Sequence, residues 1–185
     1  MTDKLCLFHR PISLLSLFLV LSFATGCGYS LVGRASNLPE DIRTVYVGSL
    51  ENRTARSQVE QVLTRAIVDE LVTRQRFEVV STAAGADAEL RGAVVAYGAT
   101  PVAFDADGRA TEYEIGFVTE VIFQRLPRTP DEEPEVIWQN DRYQFREPYE
   151  VLSEGVDYFD QEDQAIVEVA ERFAETMVSD LLEGF

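Results

Sequence analysis

The sequence predicts an α/β fold of the α+β kind, a two-layer sandwich of two helices packed on a four- to five-stranded, mixed, mostly antiparallel sheet. Three observations predict it. Two segments, near residues 57–74 and 160–182, each carry one apolar stripe at helical spacing. Residues 112–124 alternate apolar and polar side chains, the mark of a half-buried strand. The order along the chain is strand, helix, three or four strands, helix. A helix with one apolar stripe and a sheet with one apolar face must bury them against each other, and two helices on one sheet do so.

The elements follow in order. "RTVYVGSL" (43–50) is rich in β-branched and aromatic residues and reads as a strand. "ENRTARSQVE" then leads into a helix, with Ser57 and Glu60 spaced as a capping box. Val59, Val62, Leu63, Ala66, Ile67 and Leu71 make its stripe, and Arg74 and Arg76 stand where cations suit the helix dipole. "FEVV" (77–80) is a short strand, and "LRGAVVAY" (90–97) is another after the turn region "STAAGADAE". In the strand 112–124, Tyr113, Ile115, Phe117, Thr119, Val121 and Phe123 share one face. "PRTPDEEP" is a polar hairpin loop, and "EVIWQNDRYQFRE" returns as the partner strand, with Pro148 expected to end the pairing. The last helix starts near Asp160, with Ile166, Val169, Ala170, Phe173, Met177 and Leu181 as its stripe.

The N-terminal end reads as an export signal over residues 1–26. Lys4 and Arg10 give a positive start, and Ile12 to Ala24 is an uncharged run of about 13 residues, too short to span a bilayer. Ala24, Thr25 and Gly26 then precede Cys27. These small residues satisfy a general signal peptidase. A small residue followed directly by Cys also satisfies a lipoprotein signal, although Ala24 stands where Leu is commoner. Cysteine usage favours the second reading. Cys6 lies inside the signal, so Cys27 is the only Cys of the exported chain, and acylation accounts for an otherwise exposed odd thiol. The expected organisation is a signal over 1–26, a lipidated tether over 27–42 and one domain over 43–185.

Removing the signal takes the chain from 16 basic and 32 acidic residues to 14 and 31, a formal charge of −17, with Arg as its only basic residue. Such a chain is a poor partner for nucleic acid, and an anionic ligand would need a local Arg cluster. The only His, His9, lies in the signal, which removes Ser-His-Asp and Cys-His catalysis and the usual zinc sets, so no metal site and no cofactor are expected. Asp105, Asp107, Glu112 and Glu114 are close enough in sequence to suggest paired carboxylates, but "DADG" reads better as a tight hairpin turn. The chain is not expected to be an enzyme.

"CGYSLVG", "VYVGSLENRT", "LTRAIVDELVTRQRFEVV", "ADAELRGAVV", "GRATEYEI" and "DQEDQAIVEVAERFAETMVSDLL" occur in this order from Cys27 to about Leu182. As a set they resemble the lipopolysaccharide-assembly lipoprotein family LptE. The resemblance implies a two-helix, four-stranded sandwich and a non-enzymatic role at the cell outer membrane. It implies a plug inside the lumen of the outer-membrane β-barrel LptD, support for assembly of that barrel, and lipopolysaccharide binding during transport to the outer leaflet. It also implies a lipid anchor at Cys27, and Gly28 after it favours the outer membrane. Lipopolysaccharide carries phosphates, which guanidinium grips in a bidentate fork. Arg142 and Arg146 alternate with Tyr143 and Phe145 and therefore share a strand face, and Arg172 matches a basic position in the family's "R-x-A-E" stretch. A second basic position of the family falls near Gln139 here. Two rivals share parts of these motifs, a peptidoglycan-synthase activator and a secretion-pore subunit. The first needs a longer tether than about 15 residues, and the second needs additional amphipathic hairpins.

Overall fold

The computed structural model describes residues 38–129, 131–150 and 158–183, with side chains from residue 162 onward in the last segment. The expected signal over 1–26, Cys27 and most of the expected tether lie outside the described residues. The elements are β1 (Thr44–Val47), β2 (Glu51–Asn52), α1 (Val59–Arg74), β3 (Glu78–Val80), β4 (Ala88–Phe104), β5 (Ala110–Arg125), β6 (Glu135–Glu150) and α2 (Tyr158–Glu183). They form one mixed sheet in the order β3-β1-β4-β5-β6, with β2 also on β4. β1 runs parallel to β3 and β4, and parallel neighbours need a crossover, which α1 supplies between β1 and β3. β4, β5 and β6 are antiparallel. The expected sandwich is the one observed, with six strands once the two-residue β2 is counted.

The core lies between the helices and one face of the sheet. Leu63, Ile67 and Leu71 of α1 and Val169, Phe173, Met177 and Leu181 of α2 are buried with Val45, Leu90, Ile115, Phe117, Val121 and Phe123. Phe173 meets three rings edge-on, Phe117 at 6.1 Å, Tyr143 at 5.7 Å and Phe145 at 5.9 Å between centroids. This fixes the odd-numbered residues of β5 and of β6 beyond residue 143 as the helix-facing set. Arg74 Nη2 donates to Ser179 Oγ at 2.9 Å and ties the two helices side by side.

One carboxylate organises the start of β4. Asp87 Oδ2 accepts from Arg43 N at 2.9 Å, Thr44 N at 3.0 Å and Thr44 Oγ1 at 3.0 Å. The Thr44 and Arg43 backbone donors hold its carboxyl below the ordinary range. Nearby, Gly92 is required by close approach, because a Cβ there would stand 2.0 Å from the Glu120 carbonyl oxygen.

Three local expectations need correction. The capping box does not form. Gln58 is the N-cap, with φ +67° and no side-chain cap bond. Glu60 instead accepts from Asn52 Nδ2 at 2.7 Å, so a contact eight residues back replaces the local one. Pairing also runs past Pro148, through Tyr149 opposite Tyr113 and Glu150 opposite Glu112. β6 is an edge strand, where a missing N–H can face away from the ladder. Finally, the strand read as 90–97 continues to Phe104, absorbing Pro101 beside a register shift. The "DADG" turn is as expected. Asp105 Oδ1 accepts from Asp107 N at 2.9 Å and Arg109 N at 2.8 Å, and Gly108 takes φ +78°.

Candidate functional site

The side chains singled out by sequence stand on β6 and α2, and the fold divides them. Tyr143 and Phe145 point into the core, and Tyr143 Oη donates to Asp180 Oδ2 at 2.6 Å. Burial first, and then this bond to Asp180, push the Tyr143 phenol well above its ordinary range. Arg142, Gln144 and Arg146 alternate with them and are exposed on the face away from the helices. Arg142 sits at a β-bulge, where the register shifts between Thr119 and Val121, and its N–H donates to Asn140 Oδ1 at 3.0 Å. A bulge at this position twists the edge and turns a side chain outward. Arg142 has no ion pair among the described residues. Arg146 lies 3.6 Å from Glu114 Oε1, and its aliphatic stem covers Gly116 with Cγ at 3.5 Å from the position of a Cβ.

Arg172 stands elsewhere. It is exposed on α2 and pairs with Glu147, which faces the helix layer between Phe145 and Tyr149. The structure therefore brings Arg142 and Arg146 to one face and puts Arg172 on the other side of the sheet. The first two are four positions apart on the strand, roughly 13 Å between Cα atoms. That spacing offers two separate guanidinium forks, suited to two phosphates more than to a single clamp. Gln139, the uncharged residue where the family's second basic position falls, is exposed and pairs with Ile122.

The open face is a mixed charge field. Arg53 bridges Glu120 at 2.8 Å and Glu51 at 2.7 Å, so much of its acid is already neutralised. The four carboxylates considered for catalysis do not converge on a cleft. Asp105 is bound into its turn, and Glu114 is opposite Thr100 and beside Arg146. No group of three or more metal-ligating side chains occurs among the described residues.

Sequence reasoning missed one polar clasp. Tyr97 Oη donates to Glu162 Oε1 at 2.6 Å, and Glu162 is only 8 % exposed although it carries a carboxylate. Burial and then the Glu162 bond push the Tyr97 phenol far up, while Arg56 lies over the ring at 5.9 Å and pairs with Asp163. The clasp joins β4, the segment before α1 and the first turns of α2. The sequence held one signal for it, acids at the helix start, but no sign of the tyrosine that faces them.

The family described as LptE, lipopolysaccharide-assembly, matches residues 42–181, most of the chain and all of the sandwich but the last two residues of α2. The chain belongs to the LptE family. No curated protein matches it. Among solved structures, a hypothetical protein, CT253, of Chlamydia trachomatis is similar with a TM-score of 0.52 at 10% identity, covering 77% of this chain and 96% of that one. PelC of Paraburkholderia phytofirmans, described as a dodecamer, gives 0.45 at 17% identity over 78% and 92% of the two chains. The rare lipoprotein B of Shewanella oneidensis gives 0.39 at 15% identity over 74% and 95%. At such identities the CT253 likeness bears on the fold alone, and it agrees with the sandwich.

Proposed function

We propose that this LptE-family protein is an outer-membrane lipoprotein, anchored through Cys27, that plugs and helps assemble the LptD β-barrel and binds lipopolysaccharide in transit. The family match over residues 42–181 carries the reading. The geometry supports it in two ways. A plug meets a polar lumen wall, and this domain exposes an ion-paired sheet face, with Arg53 on Glu120 and Arg146 beside Glu114. Arg142 and Arg146 also stand exposed on one face, free of the core, where they could meet phosphates without unfolding anything. The domain sits in the barrel lumen and Arg172 makes a separate contact from the helix side. The protein works by binding, without catalysis.

The experiment is lipopolysaccharide binding by the full-length protein in detergent. Arg142→Glu with Arg146→Glu should weaken binding about tenfold or more, since two charge-assisted contacts are reversed. Arg172→Glu should weaken it less. An affinity that stays unchanged in the double variant removes these residues from the site.

A further inference from the structure

We infer that the groove between α1 and α2, on the surface facing away from the sheet, docks a cationic and partly apolar segment of a partner protein. The groove encloses about 340 Å³. That is enough for the ends of a few side chains, at the low end of specific pockets. Its floor is apolar. Val62 and Ala66 line it from α1, and Val167, 45% exposed, lines it from α2. Its rim is acidic, with Asp69 on one side and Glu171 and Glu175 on the other.

The acids of that rim outnumber its bases, with Arg65 against Asp69, Glu70, Glu171 and Glu175 among the lining residues, while several carboxylates elsewhere in the domain are ion-paired. Asp41 pairs with Arg125 and Arg128, Glu120 with Arg53, Asp163 with Arg56 and Glu147 with Arg172. At the groove, Glu70 is paired with Arg74 at 2.5 Å, but Asp69, Glu171 and Glu175 have no ion pair among the described residues. Arg65 lines the same groove and pairs with none of them. Glu171 and Glu175 are four residues apart on one helix, where like charges repel each other. A cation entering between the helices relieves that repulsion. An apolar floor with an acidic rim fits an amphipathic basic helix, whose aliphatic side chains enter the groove while flanking Lys or Arg meet the carboxylates. The strongly negative chain would also steer such a partner toward it. Arg142 and Arg146 of the lipopolysaccharide reading lie on the opposite face of the sheet, whereas Arg172 stands on α2 beside Glu171, so the inference is tested with a peptide and not with lipopolysaccharide.

The test titrates full-length protein in non-ionic detergent into a labelled amphipathic peptide of roughly 18 residues, about five helical turns, with Leu along one face and Lys and Arg elsewhere. A detergent-only titration is the blank, and anisotropy is the readout. Saturable one-to-one binding is expected. Glu171→Lys with Glu175→Lys should weaken it about tenfold or more, and Val167→Asp and a Leu→Ser peptide should each weaken it about fivefold. The charge-matched control Asp131→Lys with Glu133→Lys, in the exposed β5–β6 loop, should change it less than about twofold. Equal losses in the control mean attraction to net charge alone, and overturn the proposal. So do indifference to the Leu→Ser change and binding that never saturates. If Glu171→Lys with Glu175→Lys instead abolishes self-association of the unbound chain in sedimentation, the occupant is a second copy and the proposal fails.

Discussion

Replacing Phe173 by Ala should be the most damaging single truncation in the sandwich. The side chain is fully buried and touches both β5 and β6, through Phe117, Tyr143 and Phe145. Phe→Ala in a core costs ~3–5 kcal/mol through lost transfer energy and the cavity left behind. Edge-on aromatic pairs add ~0.5–1.5 kcal/mol each, partly included in that range. Three such pairs put the expected loss near the top, about 4–5 kcal/mol. For a domain of this size each kcal/mol lowers Tm by about 2–4 °C, so the melt should fall by about 8–20 °C. Thermal and urea unfolding followed by far-ultraviolet circular dichroism measure it. Phe173→Leu keeps most of the volume and should cost about 1.5 kcal/mol or less. A loss below about 1 kcal/mol for the Ala variant would refute the reasoning, since it would mean that α2 does not dock on β5 and β6 through this ring.

Three further outcomes follow from named contacts. Asp87→Asn keeps the shape but removes the charge that the Thr44 and Arg43 N–H groups favour. Because the folded carboxyl titrates below its unfolded value, its stabilisation is present above the ordinary Asp range near pH 4 and is lost as pH falls through the lower folded value. The urea midpoint of the native chain should therefore drop more steeply on acidification than that of Asp87→Asn. Gly92→Ala should cost more than about 2 kcal/mol because its Cβ meets the Glu120 carbonyl, whereas Gly98→Ala, with open space around it, should stay within about 0.5 kcal/mol. Cys27→Ser should leave the melting of the domain unchanged and shift the protein out of the membrane fraction, and an undiminished membrane fraction would contradict the lipid anchor.

The fold was legible because its two strongest signals are geometric. The α1 stripe from Val59 to Leu71 and the alternation along β5 each survive in the structure as a buried set. What could not be read depended on partners distant in sequence. Glu60 has a helix-capping spacing with Ser57, yet bonds to Asn52, because the segment before α1 is held against β4 through β2. Pro148 and Pro101 look like strand breakers, yet one lies on the edge strand and the other beside a register shift. The site divides in the same way. That Arg142 and Arg146 share a face follows from the period of a strand. That Arg172 lies across the sheet from them follows only from which face the helices cover, and Phe173 decides that through its contacts with β6.

We propose that this family member works as the plug of an outer-membrane barrel. The direct measurement is a mild-detergent pull-down of the tagged, full-length protein from its native envelope, with co-purifying proteins identified by mass. A large β-barrel protein recovered at near one-to-one stoichiometry is the predicted result. Recovery of a cell-wall synthase, or of a ring of this chain alone with no barrel, would contradict it.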